Sequence, residues 1–144
     1  MQPFERFYPR SILPPDNFAG SAAAHPWTDM ASARGYCWTV LTGSSDATGM
    51  ILRPQQARDG SGTGVKDIPG KVVTVTDPGT DNRAHVIALL PEELDLAAGY
   101  RFARLRIEIT GGTTVNMAAM LLACDARFGS AAEDKPADVL APIY

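Results

Sequence analysis

Residues 99–128 read GYRFARLRIEITGGTTVNMAAMLLACDARF, and the way this stretch folds decides the class of the whole chain. From Arg101 to Ile109 one parity carries Ala103, Leu105, Ile107 and Ile109, and the other carries Phe102, Arg104, Arg106 and Glu108. Only an extended strand turns that alternation into one apolar face. Gly111-Gly112 lies between two threonines and can take the positive φ angles of a tight turn, so the reading predicts a hairpin. The return segment, Val115 to Cys124, is apolar on both parities. As a strand it would bury one face in the core and offer the other to a second layer or a partner. A buried helix over Met117–Leu122 is the rival, and the Thr-Thr-Val approach favours the strand.

Working back from this point, turn chemistry recurs about every ten residues from Gly35 onward, the spacing of a sandwich, barrel or jelly roll. The candidate strands are Tyr36–Leu41, Met50–Ala57, Val65–Ile68, Lys71–Thr76, His85–Leu90 and Leu94–Leu96, followed by the 101–124 pair. Pro54 confines its strand to an edge or a bulge. The expected architecture is a single all-β domain, a β-sandwich or jelly-roll-like fold of about seven or eight strands. Extended arms flank it, with residues 1–34 as the N-terminal arm, 35–128 as the core and 129–144 as the C-terminal arm. A chain of 144 residues is one domain's length, and such a domain buries about 68–70% of its unfolded surface.

The first arm holds Pro3, Pro9, Pro14, Pro15 and Pro26, which bar it from being a central strand or a long helix. It also holds Phe4, Phe7, Tyr8, Phe18 and Trp27, bulky groups that a solvated linker lacks, so they are candidate partner-binding residues. They could wrap the chain's own core, lie across a neighbouring subunit or remain disordered. Ile143 and Tyr144 close the second arm and join the candidate list. So do Arg104 and Arg106, which form either an ordinary surface balanced by Glu108 or a strip that pairs with an acidic partner.

Chemistry-bearing motifs are scarce. Gly60-Ser61-Gly62-Thr63-Gly64-Val65-Lys66-Asp67 fails as a phosphate loop, because Lys66 precedes Asp67 rather than Ser or Thr and no helix follows. It reads as a hairpin loop. His25 and His85 have no ligand partners at metal spacing, and no serine elbow or activated cysteine is recognisable. Glu92, Glu93 and Asp95 read as a solvated turn. No catalytic residue, metal or cofactor is expected, and the protein is expected not to be an enzyme. Cys37 and Cys124 lie in apolar strand patterns and are expected to be buried thiols. A net charge of −3 with both signs interspersed argues against nucleic acid, and no apolar run approaches a membrane span. The N-terminus lacks the apolar centre of a signal peptide, which suggests a protein made and used in a reducing compartment.

Gln56–Ile68, Glu93-Leu94-Asp95, Gly99–Ile107 and Ala123–Phe128 together resemble small structural proteins encoded among the head genes of tailed bacteriophages. The likeness covers about residues 35–128 and leaves both arms outside. It implies a jelly-roll-like fold and a virion role, most simply a capsid decoration or cement protein at the capsid surface, made in the host bacterial cytoplasm. The implied partners are the major capsid protein and copies of the chain itself, with no nucleic acid or membrane. A tail, fibre-attachment or host-binding module is the alternative.

Overall fold

The computed structural model describes residues 7–19, 23–76, 82–111 and 114–126. Ten strands are described: β1 (Phe7–Ala19), β2 (Ala23–Ala24), β3 (Thr28–Asp29), β4 (Ala33–Ser45), β5 (Gly49–Ala57), β6 (Lys66–Asp67), β7 (Val73–Thr76), β8 (Arg83–Leu89), β9 (Phe102–Thr110) and β10 (Thr114–Ala126). Two single turns of 3₁₀ helix, Pro91–Glu93 and Leu96–Ala98, connect β8 to β9. The expected all-β sandwich is the fold observed.

The strands form two antiparallel sheets. One has the order β1-β10-β4-β8; the other has β2-β9-β5-β6, with β3 also on β9 and β7 also on β5. The pairing is nested: β1 with β10, β2 and β3 with β9, β4 with β8, and β5 with β7. A chain doubled into one long ribbon and rolled up gives this order, which is the jelly roll. Alternating residues of both sheets meet in the middle. Trp38 and Val40 of β4 and Leu121 and Ala123 of β10 face Met50 and Leu52 of β5 and Leu105 and Ile107 of β9, all of them buried.

The strand parity of 101–109 therefore holds, but the hairpin does not. β9 and β10 lie in different sheets, and Gly111 begins a crossing between layers. Alternation reveals which face of a strand is apolar and says nothing of its neighbour; two strands facing one core from opposite sides satisfy it equally well. The glycine is required for another reason. The β4–β5 crossing runs alongside: Thr48 N–H donates to the Gly111 carbonyl, Asp46 N–H to Thr114 O at 3.2 Å, and Thr114 N–H to Asp46 Oδ1 at 2.7 Å. A Cβ on Gly111, whose φ is 59°, would collide with the Thr48 hydroxyl.

Residues 7–19, expected in an arm outside the core, are an edge strand of the first sheet. The prolines permit this because among the described residues β1 pairs on one side only, and its register shifts between Leu13 and Asp16, where Pro14-Pro15 falls. For the described residues the first arm thus wraps the chain's own sandwich. The expected second arm, 129–144, lies outside the described residues. Pro54 also departs from expectation, since it is buried in β5, an interior strand. Its ring nitrogen faces the side where β7 has ended at Leu52 and β6 begins at Gln55, so no ladder bond is lost.

Candidate interaction face

The two sheets differ sharply on their outer surfaces. On β2-β9-β5-β6 the outward residues are mostly charged or polar and bond across strands. Arg53 pairs with Asp67 at 2.5 Å and with Glu108 at 3.3 Å, and Arg106 meets the same Glu108 at 3.4 Å. Gln55 Oε1 accepts from Arg104 Nε and Nη2 at 3.1 and 3.0 Å, and its amide nitrogen donates to Asp67 Oδ1 at 3.4 Å. Arg104 also stacks 4.5 Å over Trp27. Burial, then the charge of Arg106, lowers the pKa of Arg104 below its ordinary value. Arg104 and Arg106 are thus outward, as read, and knitted to their own sheet.

The loop after β5 is closed by its own hydrogen bonds, with Asp59 Oδ1 accepting from the backbone N–H of Ser61 at 2.9 Å and of Thr63 at 3.1 Å. It is a hairpin loop between β5 and β6, as expected. The acidic turn is likewise structural: Glu93 accepts from Leu90 N–H at 2.8 Å and pairs with Lys71 at 2.9 Å, and Asp95 pairs with Lys66 at 2.7 Å. Among the described residues, no group of three or more His, Cys, Asp or Glu could hold a metal ion.

The outer surface of β1-β10-β4-β8 is different in kind. Antiparallel partners share a face, so the register places the outward residues in rows. Phe7, Cys124 and Gly35 form the first row; Pro9, Leu122, Cys37 and Ala88 the second; Ile12, Met120, Thr39 and Val86 the third; and Ala118, Leu41 and Ala84 the fourth. None of these positions carries a charge; Arg10, at the register shift of β1 between Pro9 and Ser11, lies with Trp27 and Asp29 at the sheet's edge, and Asp16, Arg34, Arg83 and Asp125 fall toward the strand ends. An antiparallel sheet facing water normally alternates apolar-in with polar-out, and this one is apolar on both sides. Phe7, Leu41 and Val86 are 52%, 54% and 63% exposed, large hydrophobic groups held up to solvent. Small Ala118 leaves a dent of about 190 Å³, walled by Ile12, Pro14 and Pro15 on one side and by Thr39 and Leu41 on the other.

The candidate anchors separate accordingly. Phe7 stands on this face; Tyr8 is buried in the core, Phe18 packs against it, and Trp27 is half-buried beneath Arg104. Phe4, Ile143 and Tyr144 lie outside the described residues. Cys37 and Cys124, expected buried, are half-buried on the outer face, because Tyr36, Trp38, Leu121 and Ala123 occupy the inward positions. The two-sided reading of 115–124 pointed to this face. The contribution of β4 and β8 was missed, although Cys37-Trp38-Thr39-Val40-Leu41 and Val86-Ile87-Ala88-Leu89 are nearly as apolar on both parities.

Several buried polar atoms among the described residues close no hydrogen bond, Ser11 Oγ, Trp38 Nε1 and both ring nitrogens of His25 among them. His25, 2% exposed, points between the sheets against the backbone of Ala119, and neither ring nitrogen closes a hydrogen bond. Burial drives its pKa down to about 4.

No family model and no curated protein sequence matches the chain. Among solved structures, the chain is similar to one from Broad bean stain virus, with 14% identity over 96% of this chain and 92% of that one and a TM-score of 0.45. It is also similar to the C-terminal family 22 carbohydrate binding module of Clostridium thermocellum Xyn10B, with 11% identity over 85% and 95% and a TM-score of 0.44. A CBM4 structure gives 8% identity over 85% and 88%, with a TM-score of 0.44.

Proposed function

We propose that the chain is a structural protein of a bacteriophage virion, a decoration or cement protein of the head shell, and not an enzyme. The uncharged outer face of β1-β10-β4-β8 carries this reading. A continuous apolar sheet surface with Phe7, Leu41 and Val86 standing out of it is costly to leave in water and gains by being covered. A cement protein acts by that gain, burying area across joints that internal pressure would open. Specific interfaces bury about 1,600 Å² in total, and repetition over a lattice makes weak single contacts hold collectively. The opposite sheet supports the same role in another way, since its ion pairs stiffen the module without offering a reactive group.

The test is binding to heads that lack the protein. Purified chain is added to such particles, bound copies are counted, and the Val86→Lys variant is compared. The reading expects many copies spread over the head and loss of binding in the variant. Absence of binding to heads rejects it, and a few copies confined to the tail would assign the chain to an attachment module instead.

A further inference from the structure

We infer that the outer face of β1-β10-β4-β8 is the contact between two copies of this chain, packed sheet against sheet. The inference deepens the reading above and shares with it only the use of this face as an interface; it does not require a virion.

Charge selects the occupant. Two copies of a chain with net charge −3 repel, and across a twofold axis each residue near the axis meets its own image, so any charge there faces the same sign. A different partner imposes no such exclusion, because an arginine on one side can be answered by a carboxylate on the other. The face that would contact a copy is charge-free over four rows, while the other sheet of the same molecule carries Arg53, Arg104, Arg106, Asp67 and Glu108. Depletion of charge on one sheet only suits a self-contact, most of all along the axis. Homodimer interfaces are also the more apolar kind.

Shape agrees. The face holds both exposed knobs, Leu41 and Val86, and an apolar dent of about 190 Å³ over Ala118. An apolar hollow of about 150 Å³ is enough to hold a benzene-sized group, so one leucine, valine or phenylalanine side chain from a copy fits. Size sets the strength. Strands about 4.8 Å apart, with outward residues about 6.7 Å apart along each, give the four rows a little over about 400 Å² in projection. A standard interface uses about 800 Å² per partner, so the pair is expected to be weak, among the small transient contacts.

Sedimentation velocity on the full chain from low micromolar to near-millimolar concentration reads this directly. The wild type is expected to move from monomer to twice the monomer mass across that range. Val86→Lys and Leu41→Lys, each at an exposed position that folding tolerates, are expected to stay monomeric at the top concentration, and Leu96→Lys, exposed but off the sheet, to dimerise like wild type. Alkylation of Cys37 and Cys124, both on the face, should slow with rising concentration in wild type and not in Val86→Lys. A wild type that stays monomeric throughout overturns the inference, whether the face proves to be covered by residues 127–144 of its own chain or by a different protein. So does a dimer that survives Val86→Lys and Leu41→Lys, since its contact must then lie at a strand edge. A dimer that ignores phage heads leaves this inference standing and rejects the shell role; a head-binding monomer does the reverse.

Discussion

Mild acid should loosen the sandwich through one side chain. His25 binds its proton with a pKa of about 4 in the folded chain and with the ordinary value of 6.5 once unfolded. Because the folded pKa is the lower one, the unfolded state takes up more protons. Stability is therefore complete above pH 6.5 and is lost as pH falls from there toward 4. At about 1.36 kcal/mol per pKa unit, the fall from pH 7 to pH 5 removes about 2 kcal/mol, or about 4–10 °C of melting temperature for a domain of this length. The carboxylates do not confuse that window. Hydrogen bonds and lysine partners hold Asp59, Glu93 and Asp95 below their ordinary values of 3.8 to 4.5; burial is the largest single influence on Asp29 and raises it, but the bonds from Arg101 and Ala31 and the charges of Arg101 and Arg10 together hold it low. Their losses fall below about pH 4.5. Urea melts at pH 7, 6 and 5 give the slope, to be compared with His25→Gln, which lacks the titrating group. His85, also lowered by burial but only partly enclosed, contributes a smaller slope that His85→Gln isolates. An unchanged wild-type stability between pH 7 and 5, or an undiminished slope in His25→Gln, would refute the reasoning.

Ile107→Asp places an unpaired charge at a fully buried position and should cost about 3–5 kcal/mol, whereas Arg106→Asp on the outer face should stay within about 1 kcal/mol; equal losses in chemical denaturation would mean the register is wrong. A chain beginning at Arg34 loses β1 together with buried Tyr8, His25 and Met30, and should give no cooperative melt by circular dichroism; a melt near the full-length value would show that β1 is dispensable. Gly111→Val should destabilise by about 1–3 kcal/mol, because it forces a β-branched residue to positive φ against Thr48, and a neutral result in the same assay would remove the close approach of the two crossings.

What was legible in the sequence is what period two encodes. Ala103, Leu105 and Ile107 announce both their strand and its buried side, and the apolar second parity of β10 announces an outer face that is not ordinary solvent surface. Neighbours are not encoded that way, so Gly111-Gly112 suggested the nearest partner when the true partners of β9 are β5, β2 and β3. Proline read correctly in β1, which is an edge strand and not a central one, and misled at Pro54, because its penalty depends on which side of a strand needs a donor. The burial of His25 gave no signal at all, for it comes from packing beside the backbone of Ala119 and Leu105, far away along the chain.

The nested pairing also dictates when the protein can exist. β10 lies between β1 and β4 in the four-stranded sheet, with Cys124 opposite Phe7, so among the described strands of this sheet a middle one is the last in chain order. Until then β1 has no described sheet neighbour and β4 has only β8. Closure of this sheet must await the synthesis of β10, and with its pairings so distant in sequence the protein belongs among the slow folders, in the millisecond-to-second regime. Throughout that interval the open slot between β1 and β4 is a ready template for the β10 of another molecule, so exchange of β10 between chains is a hazard for the nascent protein.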